Sequence, residues 1–171
     1  MGAARSGRGR ARRAGRGFPP HGVLRDAREQ PVGRVPEKRV TRLAACSCGQ
    51  LTVACAGEPV RVSICHCLDC QKRTGSIFAA QARFPRAAVT ITGPSATWSR
   101  TGDEGTTASF HFCPTCGSTV CWVPDAAPDI IYVAVGAFAD PAFPPPSVSV
   151  YDDRRHSWAF NAGDLPMEHW G

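Results

Sequence analysis

The chain has 171 residues, nine cysteines and a formal net charge of +6. That length suits one domain with a modest core, and no apolar run approaches the roughly 20 residues of a membrane span or the apolar core of a signal peptide. A soluble cytoplasmic protein is expected, in a reducing compartment where grouped cysteines mean metal or redox chemistry more often than disulfides.

The positive charge sits at one end. Residues 1–39 hold eleven Arg or Lys against three acidic residues, whereas residues 40–171 hold nine against eleven. The part expected to fold is therefore slightly acidic, which argues against a groove-binding nucleic-acid domain. Residues 1–17 are almost all Arg, Gly and Ala without an apolar period, so residues 1–39 are expected to form a disordered tail. Eighteen Arg against two Lys, with abundant Ala, Gly and Pro, is the signature of GC-rich bacterial coding DNA. A start placed too far upstream in such DNA yields a tail of this kind, so residues 1–39 are expected to be an extension of the gene model.

From residue 40 onward, short runs rich in β-branched and aromatic residues alternate with Gly, Pro, Asp and Ser. Strands are expected at 39–45, 50–55, 60–64, 77–84, 88–92, 96–100, 106–112, 118–123, 129–135 and 147–151, with a single helical turn near Asp69 to Arg73. This is the texture of an all-β domain, placed at 40–160 and followed by a C-terminal tail at 161–171.

Cysteine spacing carries the chemistry. Cys46-Ser47-Cys48-Gly49 and Cys113-Pro114-Thr115-Cys116-Gly117 each fall between two expected strands. In each, paired thiolates precede a glycine able to turn backbone N–H groups toward sulfur. Two such tips facing each other make a four-thiolate tetrahedral site, the usual form of structural zinc. Between them lies Cys65-His66-Cys67-Leu68-Asp69-Cys70. Extended backbone puts Cys65 and Cys67 on one face, and a turn after Cys67 can bring Cys70 beside them. Three thiolates with a vacant fourth position can bind and activate a thiol, a water or a carbonyl. Cys55 and Cys121 are expected to be small core residues, yet they are also the cysteines that could close this second site.

Among the neighbours, His66 should point away from the two flanking cysteines. Lys72 and Arg73 read as a solvated pair, although either could offset the charge of a thiolate cluster. Thr74-Gly75-Ser76 reads as a turn, and His111 as a flank of the second knuckle. Trp98, Trp122 and Phe110 are expected on a sheet face or in the core, with Trp158 the aromatic best placed to line a pocket.

Taken together, Cys46-Ser47-Cys48-Gly49, Cys65 to Cys70 running into Gln71-Lys72-Arg73-Thr74-Gly75-Ser76, and Phe112 to Ser118 resemble the glutathione-dependent formaldehyde-activating enzyme family, which includes centromere protein V. The resemblance covers residues 43–158. It implies an Mss4-like fold of short antiparallel strands and two zinc ions. One would lie on Cys46, Cys48, Cys113 and Cys116, the other on the catalytic Cys65, Cys67 and Cys70. The activity implied is carbon-sulfur lyase-type chemistry joining glutathione, or another small thiol, to formaldehyde. Two positions depart from the family pattern: Ser149 stands where many members have His, and Ser157 where they have Pro. The alternative function is a non-catalytic zinc module that uses the basic tail as an arm for protein or nucleic acid.

Overall fold

The computed structural model describes residues 40–159. The expected tails at 1–39 and 161–171 lie outside the described residues. Ten strands form, one for each expected: β1 Thr41–Ala45, β2 Thr52–Ala56, β3 Arg61–Cys65, β4 Ala79–Pro85, β5 Val89–Thr92, β6 Ala96–Thr101, β7 Thr107–Phe112, β8 Thr119–Pro124, β9 Ile130–Ala134 and β10 Val148–Val150. The expected helical turn becomes a seven-residue helix, α1 Leu68–Thr74. Among the described residues no helix is long and apolar enough to cross a membrane.

The strands make two sheets, one of order β1-β2-β5 and one of order β10-β3-β4-β9-β8-β7-β6. The pairings are antiparallel as expected, with one correction: β10 runs parallel to β3, Val150 opposite Cys65. The stiff Pro144-Pro145-Pro146 approach leads the chain from β9, which pairs with β4, to that edge.

Period-two alternation explains how the sheets stack. In β2, Val53 and Cys55 are buried while their neighbours are not, and in β9 the same holds for Ile131 and Val133. These residues join Val62, Ala82, Phe84, Val120 and Cys121 in one core between the small sheet and the central strands of the large one. The opposite face of the large sheet carries a row of aromatics matched strand to strand: Trp98 opposite Phe110, Phe110 opposite Trp122, and Trp122 opposite Tyr132. Their ring centroids lie 5.6 to 5.8 Å apart, the spacing of cross-strand aromatic pairs.

Gly93 ends β5 at φ +98°, and a Cβ added there would sit 1.8 Å from the carbonyl oxygen of Gln50 at the entry to β2. The small sheet thus closes on a contact that only glycine allows. Gly93→Ala is expected to cost at least about 2 kcal/mol, read as a lowered urea midpoint at unchanged slope.

Candidate metal centres

The β1–β2 and β7–β8 turns meet at one end of the core. They place Cys46, Cys48, Cys113 and Cys116 so that all four sulfur atoms lie within 4.8 Å of one another. Cys46 Sγ is 3.5 Å from Cys48 Sγ, which is 3.6 Å from Cys113 Sγ. Zinc bound to sulfur at about 2.3 Å puts tetrahedral ligands roughly 3.8 Å apart, so the donor set fits a metal ion. The nine cysteines are free thiols rather than disulfides. Gly49 and Gly117 take positive φ, as the knuckle pattern requires. Between the tips, Ser47 Oγ and Ser118 Oγ lie 2.8 Å apart and Thr115 Oγ1 donates to Gln50 Oε1 at 2.9 Å.

Crowded thiols share protons unevenly. Hydrogen bonds from Ser118 hold Cys116 down at about 5. A backbone hydrogen bond from Gln50 favours the Cys48 thiolate, but burial and the neighbouring thiols outweigh it and push Cys48 up to about 12. A divalent cation would remove this conflict by accepting all four as thiolates.

The second cluster forms where β3 runs into α1. Cys67 is the N-cap of α1, and its sulfur accepts from Cys70 N at 3.3 Å, which folds Cys70 back beside Cys65 and Cys67. The three sulfurs lie within 4.8 Å of one another, and all three residues are buried. Among the described residues no fourth Cys, His, Asp or Glu joins them. Cys55 and Cys121 do not close the site. Both lie fully buried in the core between the sheets, where burial pushes their thiols up to about 11 and about 12.

The cluster lines a cavity of about 160 Å³ whose walls also include Arg73, Arg100, Phe110, Trp122 and Tyr151. Arg73 corrects the expectation of a solvated pair. Lys72 is exposed, but Arg73 turns inward, its guanidinium 4.6 Å from the Trp122 ring centroid and 5.0 Å from that of Phe110. Cys70 is held down at about 5, chiefly by its hydrogen bond with Cys65, with Cys67 and the Arg73 guanidinium adding to the effect. Cys65 is raised correspondingly by that shared hydrogen bond and by burial.

Several links fix these walls. Arg100 pairs with Asp69 on α1. Tyr151 donates to Glu104 at 3.0 Å and Arg154 to Asp103 at 2.6 Å, which pins the segment after β10 to the β6–β7 turn. Gln71 Nε2 donates to the carbonyls of His66 at 2.8 Å and Arg154 at 3.2 Å. Tyr151 adopts the left-handed conformation at φ +59° and packs against the cysteine cluster.

Other expected positions resolve simply. His66 does point away: it is fully buried, edge-on to Phe78 at 5.9 Å, with Nε2 4.0 Å from Asp152 Oδ1. Thr74 and Gly75 serve the helix end, Thr74 donating to the Cys70 carbonyl at 2.8 Å and Gly75 capping in the left-handed region. His111 Nδ1 lies 3.3 Å from Ser95 Oγ and joins neither cysteine cluster. Trp158 is corrected as a pocket residue; it is 48% exposed and stacks edge-on with His156 at 5.4 Å. Ser149 projects off the cavity face to hydrogen-bond Asp152.

The model of the glutathione-dependent formaldehyde-activating enzyme family matches residues 41–154, a span that contains both cysteine clusters. This chain belongs to the glutathione-dependent formaldehyde-activating enzyme family. Comparison with curated proteins finds no match. Among solved structures, that of a Rhodobacter sphaeroides protein is similar at 19% identity and a TM-score of 0.46, covering 60% of this chain and 91% of that one. For this family member, Cys55→Ala and Cys121→Ala are expected to leave bound metal per chain unchanged. Each should cost roughly 1 to 2 kcal/mol of stability, read by denaturant titration beside metal analysis.

Proposed function

We propose that this protein is a zinc enzyme that joins a small thiol to an aldehyde, with glutathione and formaldehyde as the pair the family suggests. The observation that carries this reading is the contrast between the clusters: four thiols wrapped around one point, and three buried thiols whose remaining side opens on a cavity. In this reading Cys46, Cys48, Cys113 and Cys116 are structural zinc ligands, and Cys65, Cys67 and Cys70 hold the catalytic ion. Zinc held by three thiolates would supply a fourth position that keeps an incoming thiol ionised at neutral pH, where a free thiol of pKa about 8.5 is mostly protonated.

The chain's own residues set the terms of that binding. A dication held by three thiolates is already a net anion, so a fourth thiolate needs a neighbouring positive charge. Arg73 supplies it from beside Cys70, held in place by the Phe110 and Trp122 rings. Arg100 is already matched by Asp69, which leaves Arg73 as the cavity arginine with no carboxylate partner among the described residues. The thiolate sulfur then adds to the aldehyde carbon, and the proton the thiol gave up ends on the former carbonyl oxygen, leaving a hemithioacetal, which for formaldehyde is the S-hydroxymethyl thioether. Phe110, Trp122 and the Tyr151 ring restrict water around the reacting atoms.

Metal analysis of the purified full chain is expected to give two zinc per chain. Cys67→Ser should lower this to one while the fold survives and turnover is lost, whereas Cys113→Ser should prevent stable folding. One zinc in the wild type would overturn the catalytic site. In cobalt-substituted protein, a thiol should perturb the absorption of one ion out of two. Arg73→Gln should weaken that thiol binding about tenfold, and Arg73→Lys less.

A further inference from the structure

The cavity face of β3 and β4 carries three residue pairs in line: Cys65 opposite Ala79, Ser63 opposite Gln81, and Arg61 opposite Arg83. Residues two apart share a face, so these pairs form one continuous track leading away from the cysteine cluster. Its first step is polar and ordered. Gln81 lines the cavity, and its amide donates to the buried Ser63 hydroxyl at 3.2 Å.

The far end is unusual for a sheet. Like charges placed directly opposite on neighbouring strands repel, yet Arg61 and Arg83 occupy such a position. The ion pairs among the described residues give neither of them a carboxylate. Acidic residues are not scarce, since residues 40–171 hold eleven against nine basic ones. Both arginines are half-buried, and the Nε of each is shielded from solvent without a hydrogen-bond partner. The Arg83 guanidinium lies over the Tyr132 ring, 4.5 Å from its centroid, a cation–π contact that restrains it. Two guanidinium groups on neighbouring strands, neither with a carboxylate among the described residues, suit a carboxylate or phosphate, which each can grip through paired N–H donors.

The spacing ties this receptor to the thiol site. Arg61 lies four positions before Cys65, about 13 Å along an extended strand. An extended tripeptide spans about 10 Å, and the arginine side chains cover the remainder. We propose that Arg61 and Arg83 bind the distal carboxylate of the thiol whose sulfur enters the three-cysteine cavity. The thiol then lies along the Ser63–Gln81 step, and the site selects thiols that carry an acidic group several bonds from sulfur. This inference rests on the thiol-binding reading above.

The test titrates the cobalt-substituted full chain with glutathione and with its diethyl ester, which keeps the thiol and lacks the carboxylate charges. Wild-type protein should bind the ester at least tenfold more weakly. Arg61→Gln and Arg83→Gln should weaken glutathione about tenfold and leave the ester unchanged, with partial recovery in Arg83→Lys. If neither thiol alters the wild-type spectrum, the thiol site itself fails and this inference falls with it. If the wild type binds acid and ester equally, or the variants weaken both alike, the carboxylate site alone is overturned. Inorganic phosphate, followed by calorimetry, separates the two sources of anion. Phosphate binding lost in the variants while glutathione affinity stays intact would mean a separate anion site and would also overturn the assignment. Should a glutamine variant fail to fold, the wild-type comparison of acid with ester decides.

Discussion

Two hairpin tips from different sheets meet at four thiols, and the rest of the molecule is arranged around that junction. Cys46 belongs to the turn that closes the small sheet and Cys113 to a turn of the large one, yet both sulfurs sit in the same core cluster. A domain this size buries limited apolar surface, and its small sheet has three short strands. A metal ion on these four thiols would couple the two sheets at one end of that core. The serine pair and the Thr115–Gln50 hydrogen bond across the tips give the same junction a polar second layer.

With one face of the large sheet committed to that core, the other is free for chemistry. Strand β3 shows the division residue by residue. Val62 faces the core, while Arg61, Ser63 and Cys65 face the aromatic row and the cavity. Burial of nearly every position in β3 follows from this double duty. The parallel β10 completes the arrangement: by pairing Val150 with Cys65 it delivers Tyr151 onto the cysteine cluster, and an antiparallel return would run the chain away from it.

Much of this was legible in the sequence because cysteine spacing and strand alternation are local signals. The knuckles, the three-thiol cluster, the turn of His66 away from its flanking cysteines and the core positions of Cys55 and Cys121 all follow from which residues share a face. What stayed hidden depends on distance. Arg73 and Lys72 are adjacent in sequence, and the aromatic row that draws Arg73 inward is assembled from β7 and β8, some forty residues later. The parallel sense of β10 is set by a long connection, which no strand pattern encodes. Trp158 looked like a pocket residue because it ends the closing segment, but the turn at 152–154 carries it outward and leaves Tyr151 in that role.

Charge then explains why these particular residues surround the three-thiol cavity. Buried thiolates are costly without cations, and in the proposed function a metal ion and Arg73 together would offset the three of them. Asp69 on α1 withdraws Arg100 from that balance by pairing with it, so the two arginines above Phe110 do different work although both approach the same ring. Lysine could carry the charge but not the planar guanidinium that lies over both the Phe110 and Trp122 rings. The aromatic row is therefore more than packing. By holding a guanidinium over its rings at Arg73 and again at Arg83, it sets positive charges along the sheet face that also carries the three thiols.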